Sequence, residues 1–384
     1  MSQPVTSIPS TILPPAMLGM LGGGQLGRFF VIAAHEMGYR VTVLDPDMNS
    51  PAGKIADVHL CAAYDDQVAL TEMAKNCEAI TTEFENVPAA TLEFLAKNRI
   101  VRPAPAAVAI AQHRVLEKNF IRDAGLPVAP YKVIESADDV AATDASLYPA
   151  ILKVARFGYD GKGQARVSTA EEAKDAFEKF GGETCVLEKM LKLDYEVSVV
   201  LARDAQGQVA TFPTAENSHL NGILDVSIVP ARGSESVREE AQKLAIKVAE
   251  KLNYVGVLGV EFFVCDGQLI VNEMAPRPHN SGHYTIDACV TNQFEQQVRV
   301  LTGMQLGAPR LHSHAVMVNI LGDVWRDGEP KWTQLCAHSE LKLHLYGKHE
   351  PRAGRKMGHF TVLADSPEAA LHQATIARQE LGIG

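Results

Sequence analysis

A glycine-rich loop near the start of the chain is the feature that most limits how this sequence can fold. Gly22, Gly24 and Gly27 stand between an apolar run at residues 16–21 and a segment with helical spacing at residues 26–36. A strand pattern resumes at residues 41–44, and helix and strand patterns then alternate as far as residue 96. This alternation predicts a parallel, doubly wound sheet as the first domain.

The sequence of the loop leaves its ligand open. The three glycines fit the dinucleotide-binding pattern, with Asp45 lying 18 residues past Gly27. They fit equally well a turn that only lets a helix and a strand pack closely. In either case we expect available backbone N–H groups at the start of a helix, where they can bind a phosphate or a small anion.

The 384 residues are too many for one core and predict three folded domains after a loose tail. Residues 1–15 contain four prolines and neither lysine nor arginine, so they lack the basic region of a signal peptide. A proline-interrupted stretch at residues 102–107 marks a boundary before a long helix predicted at residues 106–124. Ser366 and Pro367 predict the start of the last helix. We therefore divide the chain into residues 1–15, 16–112, 113–303 and 304–384.

Charge and cysteine content limit the class of protein. The net charge of −10 is opposite in sign to the basic surface that nucleic-acid binding needs. The six cysteines form no CxxC pair, so they predict reduced thiols rather than disulfides or a zinc site. No apolar run is long enough to cross a bilayer. We expect a cytoplasmic protein with small-molecule ligands and neither nucleic acid nor a membrane as partner.

A second glycine-rich segment lies in the middle of the chain. It places Lys153 in an apolar strand, which a loop with Gly158, Gly161 and Gly163 joins to another strand. This strand–loop–strand flap differs from a P-loop, which runs from a strand into a helix. The flap is suited to closing over a triphosphate, with Lys153 and Lys162 neutralising charge. It equally fits an edge hairpin protected by lysines.

Residues 260–274 predict a β-hairpin with its turn at an Asp-Gly pair. A two-residue turn would pair Glu261 with Asn272, whereas a three-residue loop would place Glu261 opposite Glu273. Facing carboxylates repel unless a cation lies between them, and Mg²⁺ suits such a gap because it accepts carboxylates together with phosphate oxygens. We expect the three-residue loop and a magnesium site. The alternative is two solvated glutamates on opposite faces of the hairpin.

In order and spacing, these segments resemble the ATP-grasp superfamily. The lysine strand, the glycine flap, a strand ending in EKML at residue 188 and the VEFF…NEMAPR hairpin follow one another as they do there. Within the superfamily, the chain is most similar to the N5-carboxyaminoimidazole ribonucleotide synthetase family, the ATPase subunit of phosphoribosylaminoimidazole carboxylase. The similarity covers residue 17 to the end. It rests on GGGQLGR at residue 22, TEFENV at 82, YDGKGQ at 159, APRPHNSGH at 275 and GRKMGH at 354.

The resemblance implies a mixed α/β and α+β architecture. Residues 16–112 would form a Rossmann-like parallel-sheet domain, residues 113–303 an ATP-grasp domain and residues 304–384 a small C-terminal α+β domain. It also implies ATP and Mg²⁺ as cofactors and a homodimer as the assembly. The implied reaction is the carboxylation of 5-aminoimidazole ribonucleotide by ATP and bicarbonate, through carboxyphosphate, in purine biosynthesis.

For the nucleotide, the resemblance implies ligands from the flap, the hairpin and the strand between them. Backbone groups at residues 188–191 would bind adenine, Glu196 the ribose hydroxyls, and His219 would lie beside the nucleotide. Glu261 and Glu273 would hold Mg²⁺ against the phosphates. The residues expected at the nucleotide are Arg114, Lys153, Gly158, Tyr159, Asp160, Gly161, Lys162, Gly163, Gln164, Glu188, Lys189, Met190, Leu191, Glu196, His219, Asn272 and Glu273.

For the reaction, the resemblance implies that bicarbonate attacks the γ-phosphate without an enzyme nucleophile. Arg277, His279 and Lys356 would hold bicarbonate and carboxyphosphate. Tyr159 and Asp160 would close over the acceptor, and Asp160 would accept its proton. The residues expected at the ribonucleotide are Gln25, Glu83, Glu85, Arg352 and Arg355, the two arginines at its 5′-phosphate.

Other functions remain open at this point. An NAD-dependent dehydrogenase would use the loop at residues 22–27, but it would leave the hairpin and the flap unexplained. Another ATP-grasp ligase, such as formate-dependent glycinamide ribonucleotide transformylase or biotin carboxylase, would keep the middle domain and change the acceptor. A noncatalytic regulator would not need the full set of lysines and carboxylates.

Overall fold

The computed structural model describes residues 11–156 and 163–383. The first part of the chain forms a five-stranded sheet. Its strands are β1 (Met17–Leu21), β2 (Arg40–Leu44), β3 (Val58–Leu60), β4 (Ala79–Thr82) and β5 (Ile100–Val101), and its helices are α1 (Gln25–Glu36), α2 (Gln67–Asn76) and α3 (Ala89–Ala96). All strands run parallel in the order β3-β2-β1-β4-β5, which confirms the predicted parallel first domain. The order reverses between β1 and β4, so a crevice lies at their carboxyl ends.

The glycine loop directs the chain into this crevice. β1 and β4 are apolar and almost fully buried, as expected of central strands in a parallel sheet. Gly22 follows β1 with φ of +104°, a conformation that side chains disfavour. The chain can therefore turn directly into α1, whose amino-terminal end lies at the crevice.

The single long helix predicted at residues 106–124 is wrong, because the chain forms two helices there. They are α4 (Pro105–Ala111) and α5 (Arg114–Asp123). The break lies at His113, whose backbone is extended with φ −133° and ψ 107°. The Arg114 N–H donates to the Ala155 carbonyl at 2.9 Å instead of to a helical partner. Tertiary contact overrides helical propensity here, and it fixes the start of α5.

A four-stranded antiparallel sheet follows. Its strands are β6 (Tyr131–Ile134), β7 (Ala150–Val154), β8 (Gln164–Val167) and β9 (Cys185–Lys189), and its helices are α6 (Ala137–Ala141) and α7 (Ala170–Lys179). The strand order is β6-β9-β7-β8. Leu152 and Leu187 pack with apolar residues of both helices on one face of the sheet. Lys153 follows Leu152 in β7 and so points to the opposite face.

The rest of the chain contributes to one larger sheet. Its first six strands are β10 (Tyr195–Arg203), β11 (Val209–Thr211), β12 (Ala215–Leu220), β13 (Ile223–Val229), β14 (Gly256–Cys265) and β15 (Gln268–Ala275), and the accompanying helices are α8 (Glu235–Lys251), α9 (Thr285–Ala288) and α10 (Gln293–Thr302). The buried face of α8, which includes Ala245 and Val248, packs against β10, β14 and β15. This packing forms the largest apolar core described along the chain.

The C-terminal strands extend this same sheet. They are β16 (His314–Leu321), β17 (Leu341–Leu345) and β18 (Lys356–Ala364), accompanied by α11 (Trp332–Leu335) and α12 (Pro367–Glu380). The order is β15-β14-β10-β12-β13-β16-β18-β17, with β11 paired to β10. β13 joins β16 antiparallel from Val226 opposite Val318 to Val229 opposite Ala315. The proposed boundary after residue 303 therefore lies within a continuous sheet.

Two further sequence features can be compared with the structure. The Ser366 hydroxyl accepts from the Ala369 N–H at 3.1 Å and Pro367 occupies the first turn, so the predicted start of the last helix is confirmed. All six cysteines are thiols without a disulfide. Across the described ranges, every helix is too short or too polar to cross a bilayer.

Candidate active site

The hairpin of β14 and β15 carries the two carboxylates predicted to face each other. Its turn is the pair Asp266 and Gly267, whose φ values of 48° and 72° fit a two-residue hairpin turn. The predicted three-residue loop is wrong, because the strands pair directly on either side of these two residues. Glu261 nevertheless lies opposite Glu273, so the facing pair is confirmed.

A β-bulge at Asn272 sets this register. Phe262 pairs with Val271 and Glu261 pairs with Glu273, so Asn272 is the extra residue on β15. The bulge shifts the register of β15 by one residue and so brings Glu273 opposite Glu261. The longer loop was expected to have the same effect. The Asn272 side-chain oxygen is buried and has no hydrogen-bond partner among the residues described.

The two carboxylates form an unfavourable pair unless a cation accompanies them. Burial and the charge of Glu273 raise the pKa of Glu261 to about 7. The Glu261 side chain is 13% exposed and that of Glu273 is 43% exposed, so the pair opens to solvent on one side. With the unsatisfied Asn272 oxygen they provide the oxygen ligands that Mg²⁺ prefers. The residues present therefore fit a magnesium ion.

Helix α5 holds the backbone on both sides of Glu273. Lys118 Nζ donates to the Asn272 carbonyl at 2.8 Å, and a Glu117 carboxyl oxygen accepts from the Met274 N–H at 2.7 Å. Both α5 side chains are buried, and burial together with the Glu273 charge raises the pKa of Glu117 to about 7. These contacts satisfy backbone groups next to the bulge, where the strand ladder is disrupted. Two consecutive residues of α5 thus fix the position of Glu273.

Glu188 of β9 holds two buried lysines. Lys118 Nζ lies 3.0 Å from one Glu188 oxygen, and Lys153 Nζ lies 3.2 Å from the other. Burial acts to raise the pKa of Glu188, but the charges of Lys153 and Lys118 outweigh it and lower the pKa to about 2. Arg114 Nη1 lies 3.5 Å from a Glu273 oxygen. Three cations therefore lie close to the facing carboxylates, as binding of a triphosphate requires.

The segment predicted to bind adenine begins at the end of β9. The N–H groups of Lys189 and Met190 donate to the carbonyls of Pro130 and Pro149, both at 2.9 Å. These two donors are engaged within the protein. A backbone hydrogen bond to adenine would therefore have to come from Leu191 or from carbonyl groups of the segment. Adenine binding here stays a prediction.

The two residues predicted beside the ribose lie together. His219 Nδ1, on β12, is 2.9 Å from a Glu196 oxygen on β10. Burial acts to lower the pKa of His219, but the carboxylates of Glu196 and Glu261 raise it above its ordinary value. The pair therefore lies within electrostatic range of the two facing carboxylates.

Only the last residues of the flap fall within the described ranges. Gln164 pairs with Lys153 across β7 and β8, and Gly163 has φ of 70°, which favours glycine. The other predicted flap residues lie outside the described residues, and their roles stay predictions. They are Gly158, Tyr159, Asp160, Gly161 and Lys162.

The protein's own carboxylates occupy the glycine loop after β1. The two Glu83 oxygens accept from the N–H groups of Gly24 (2.9 Å) and Gly27 (2.6 Å), and the Gly23 N–H donates to Asp45 (2.7 Å). Burial raises the pKa of Glu83 to about 7, although the two N–H groups act to lower it. The N–H groups of these three glycines are therefore not available to a ligand, because Glu83, which follows β4, and Asp45 accept their hydrogen bonds. A dinucleotide pyrophosphate would have to displace Glu83.

Arg277 connects the hairpin to the first domain. Its Nε and Nη2 donate to the two Glu85 oxygens at 2.6 and 3.2 Å. Burial acts to raise the pKa of Glu85, but the Arg277 charge outweighs it and lowers the pKa to about 2. A residue predicted for bicarbonate thus meets a residue predicted for the ribonucleotide.

His279 links this ion pair to the facing carboxylates. Its Nε2 lies 3.5 Å from a Glu261 oxygen, and its Nδ1 lies 2.8 Å from the Ser281 hydroxyl. Burial and the charges of Arg277 and Lys356 lower the pKa of His279 to about 3, so the ring is neutral at pH 7. Arg277 and Lys356 therefore lie within electrostatic range of His279, which itself lies beside Glu261.

The remaining residues predicted at the ribonucleotide are divided between two places. Gln25, the first residue of α1, accepts from Lys348 Nζ at 2.7 Å, and Lys348 also donates to the carbonyl at the start of β18. The side chain of Arg352 pairs with the Glu350 carboxylate at 2.9 Å, and Arg355 donates to the Glu350 carbonyl at 3.0 Å. Both arginines thus contact their own loop, and their role at the 5′-phosphate stays a prediction.

Sequence reasoning missed Glu117, Lys118 and Lys348. The sequence could have indicated Glu117 and Lys118, because both share a helix turn with apolar core positions. Charged residues at such places are rarely buried without a partner. Lys348 carried none, since its contact with Gln25 joins residues 323 positions apart.

Three family models match successive parts of the chain. They describe a ribonucleotide synthetase preATP-grasp domain at residues 16–112, an ATP-grasp domain at residues 119–294 and a phosphoribosylaminoimidazole carboxylase C-terminal domain at residues 315–373.

Curated relatives match over nearly their whole length. The N5-carboxyaminoimidazole ribonucleotide synthase of Bacillus subtilis (strain 168) is 42% identical over 368 residues, which cover 95% of this chain and 96% of the relative. The protein of the same name from Brucella melitensis biotype 1 is 45% identical over 356 residues, or 92% and 97% of the two chains.

Solved structures have the same fold. An ADP complex of an N5-carboxyaminoimidazole ribonucleotide synthetase matches with a TM-score of 0.90 and 42% identity, over 96% of this chain and 97% of that one. The Aspergillus clavatus N5-carboxyaminoimidazole synthase in complex with ADP and 5-aminoimidazole ribonucleotide matches with a TM-score of 0.86 and 30% identity, over 96% and 98%.

Proposed function

Because this chain belongs to the N5-carboxyaminoimidazole ribonucleotide synthetase family of ATP-grasp enzymes, we propose that it carboxylates 5-aminoimidazole ribonucleotide with ATP and bicarbonate. The product is N5-carboxyaminoimidazole ribonucleotide, in purine biosynthesis. The observation that carries the proposal is the 3.5 Å contact between His279 and Glu261, since it joins the phosphate side of the site to the pair of Arg277 and Glu85. Bicarbonate held there would lie between the γ-phosphate and the acceptor.

On the phosphate side, we assign Arg114 and Lys153 to the ATP phosphates. Lys153 is buried, and Glu188 orients it, so it meets a phosphate oxygen with little competition from water. Glu261, Glu273 and Asn272 would hold Mg²⁺. When bound, this ion neutralises phosphate charge during phosphoryl transfer.

In the proposed reaction, a bicarbonate oxygen attacks the γ-phosphorus and the bond from that phosphorus to the bridging oxygen of ADP breaks. The bond between carbon and the bridging oxygen of carboxyphosphate then breaks to give carbon dioxide and phosphate. The exocyclic amine of the ribonucleotide attacks the carbon and gives up a proton, for which Asp160 is the proposed acceptor. Arg277 and Lys356 hold the anionic oxygens throughout, and positioning does most of the work.

On the acceptor side, we assign the ribonucleotide to the crevice of the first sheet, with Gln25, Glu83, Glu85 and Lys348 as its neighbours. The support is the meeting of Gln25 with Lys348 and of Glu85 with Arg277. We also propose a homodimer located in the cytoplasm, with sedimentation of the purified protein as the test of assembly.

The proposed function is tested by phosphate release from ATP. We expect release to require bicarbonate and to rise strongly with 5-aminoimidazole ribonucleotide. Turnover with formate and glycinamide ribonucleotide would instead favour another ATP-grasp ligase, and tight NAD binding would favour a dehydrogenase.

We expect Glu273→Ala to abolish turnover and to leave the fold intact. The substitution removes a proposed magnesium ligand and also removes the repulsion between facing carboxylates. Steady-state phosphate release and circular dichroism measure the two effects. Glu178→Ala, at an exposed position of α7, is the matched control, and retained activity in Glu273→Ala would refute the metal assignment.

A further inference from the structure

We propose that a buried chain of hydrogen bonds fixes His279 in the tautomer that carries its proton on Nε2. The chain runs from His279 through Ser281 and Ser198 to Asn217. The inference rests on the proposed function, because it assigns that tautomer to the bicarbonate site. It makes Ser281, Ser198 and Asn217 positioning residues that act through His279.

The members of the chain lie within hydrogen-bond distance of one another. The Ser281 hydroxyl is 2.8 Å from His279 Nδ1 and 2.7 Å from the Ser198 hydroxyl. Asn217 Nδ2 donates to the Ser198 hydroxyl at 2.8 Å. Ser281 is 0%, Ser198 2% and Asn217 6% exposed, so bulk water does not compete for these groups.

The direction of the hydrogen bonds is set at the histidine end by a backbone group. The Ser281 N–H donates to His279 Nδ1 at 3.4 Å, and His279 is the cap of the short helical turn at Asn280–Gly282. A backbone N–H cannot accept a hydrogen bond, so this long contact favours Nδ1 as an acceptor, and the shorter contact with the Ser281 hydroxyl adds to it. A neutral imidazole has one protonated nitrogen, and this nitrogen is therefore Nε2.

The far end of the chain supports the same direction. The Asn217 amide gives its N–H to Ser198, which leaves the Ser198 hydroxyl hydrogen to donate to Ser281. The Ser281 hydroxyl then donates to Nδ1. Just beyond the chain, Ser227 donates to Asn217 Oδ1 at 2.7 Å, which keeps the amide nitrogen turned toward Ser198.

Two more contacts fix where the ring lies. The Gln293 side chain accepts from the His279 N–H and donates to the His279 carbonyl, both at 2.8 Å. Gly259 of β14 lies directly against the ring, since a Cβ at that position would be 2.8 Å from His279 Cβ. The backbone and one side of the side chain are thus held by separate elements.

The fixed tautomer determines what His279 offers to a substrate. Its Nε2–H points toward the Glu261 oxygen 3.5 Å away, on the side where bicarbonate is assigned. In this state Nε2 donates a hydrogen bond and has no lone pair to accept a proton. His279 therefore donates a hydrogen bond to an oxygen of bicarbonate or carboxyphosphate. The proton released by the ribonucleotide amine goes to another group.

The test is ¹⁵N NMR of the full-length protein labelled in its histidines, with His279→Gln used to assign the signal. We expect wild-type Nδ1 to have the shift of an unprotonated nitrogen and Nε2 that of a protonated one. In Asn217→Asp the side chain only accepts, so Ser198 turns its hydroxyl hydrogen toward residue 217 and no longer donates to Ser281. We expect the proton of His279 to move in part to Nδ1 and kcat to fall about tenfold or more, with KM for ATP unchanged.

Ser281→Ala gives a second reading if Asn217→Asp does not fold, because it removes the hydroxyl beside Nδ1 and should also lower the share of the Nε2–H tautomer. Ser218→Ala, at an exposed position next to Asn217 on β12, is the control. It leaves the chain of hydrogen bonds in place, so the tautomer should be retained.

A wild-type signal with protonated Nδ1 would overturn the proposal, as would equal changes of tautomer in Asn217→Asp and Ser218→Ala. The NMR reading does not depend on activity. A wild-type protein with the expected tautomer but without bicarbonate-dependent turnover would refute the proposed function and leave the tautomer assignment standing.

Discussion

Each of two cationic side chains at the site is held by a carboxylate. Lys153 lies against Glu188 in a buried position, and burial lowers its pKa. Arg277 is held in the same way by both oxygens of Glu85. Cations held at low solvent exposure interact strongly with phosphate oxygens because water screens them little. Small displacements of these groups should therefore cost much activity.

We expect Gly259→Ala to lower kcat about tenfold or more. The added Cβ would lie 2.8 Å from His279 Cβ, so the His279 side chain must shift from its present position. KM for ATP should change little, because the ATP phosphates are assigned elsewhere. Steady-state kinetics with varied bicarbonate measure the effect.

Gly267→Asn is the control for this substitution. Residue 267 lies in the turn of the same hairpin with φ of 72°, a conformation that asparagine tolerates, and an added Cβ would meet no atom within 4 Å among the described residues. Equal losses in both variants would show that the hairpin as a whole, rather than His279, is sensitive.

The hairpin of β14 and β15 shows how far the sequence predicts such an element. The expectation that a cation offsets the repulsion between Glu261 and Glu273 led to the prediction that they face each other, and that facing pair is confirmed. The structural cause of this register was not predictable, because the Asp-Gly turn and the bulge at Asn272 combine to produce it. The bulge is held by Glu117, which is 157 positions from Met274 in the sequence.

The same limit applies to other elements. The break between α4 and α5 depends on the Ala155 carbonyl, and the filling of the glycine loop depends on Glu83, 56 positions from Gly27. Local patterns therefore predicted the alternating strands and helices of the first domain, the hairpin of β14 and β15 and the start of α12. Contacts between distant segments decided where helices break and which donors are occupied, and one sequence does not contain that information in a local form.

We expect Lys118→Met to weaken binding of the metal–nucleotide complex and to lower kcat about tenfold or more. The substitution removes the donor to the Asn272 carbonyl and one of the two lysines at Glu188, so the bulge and Lys153 both lose support. Stability should fall by about 2 kcal/mol, the usual loss for a hydrogen bond to a charged group. Electron paramagnetic resonance of bound Mn²⁺ with ADP provides a reading apart from turnover.

Lys247→Met is the control, since Lys247 makes an exposed contact with the Gly125 carbonyl at 3.2 Å. Unchanged Mn²⁺ binding in Lys118→Met would contradict the role assigned to α5.

At the scale of the whole molecule, one sheet of nine strands runs from the hairpin of β14 and β15 to the C-terminal strands. We expect a chain that ends at residue 303 to be insoluble or unfolded rather than an active ATPase. Its β13 would lose the partner β16 and leave Ile228 without its apolar neighbours. Soluble yield and circular dichroism measure the outcome. A soluble truncated chain that binds ATP would show that the two parts fold separately.

The stability of the ligand-free protein should respond to acid differently above and below about pH 4.5. The reason is that two sets of buried groups have pKa values shifted in opposite directions. Buried imidazoles with lowered pKa values stabilise the fold above the unfolded pKa of about 6.5 and lose that effect as pH falls. Buried carboxyls with pKa values near 7 stabilise it increasingly as pH falls from 7 to about 4.5. The imidazoles are His279, His283 and His359, and the carboxyls are Glu83, Glu117 and Glu261.

We therefore expect the thermal midpoint to change little between about pH 6.5 and 4.5 and to fall steeply below that. In the lower range the carboxyl effect is complete, and Glu85 and Glu188, with pKa values of about 2, lose their stabilising charge. Thermal unfolding followed by circular dichroism from pH 7 to 3 measures this. In Glu117→Gln one opposing carboxyl is gone, so the midpoint should begin to fall below pH 6.5. A wild-type midpoint that falls evenly from pH 7 would contradict the expected cancellation.

The continuous sheet also constrains how the enzyme moves during a reaction cycle. One β-sheet contains the facing carboxylates on β14 and β15 as well as Lys356 on β18. Strands β6 to β9 form a separate sheet. A hinge between these two sheets would therefore leave the distance between the facing carboxylates and Lys356 unchanged. These groups would keep their relative positions while a short-lived acyl phosphate forms beside them.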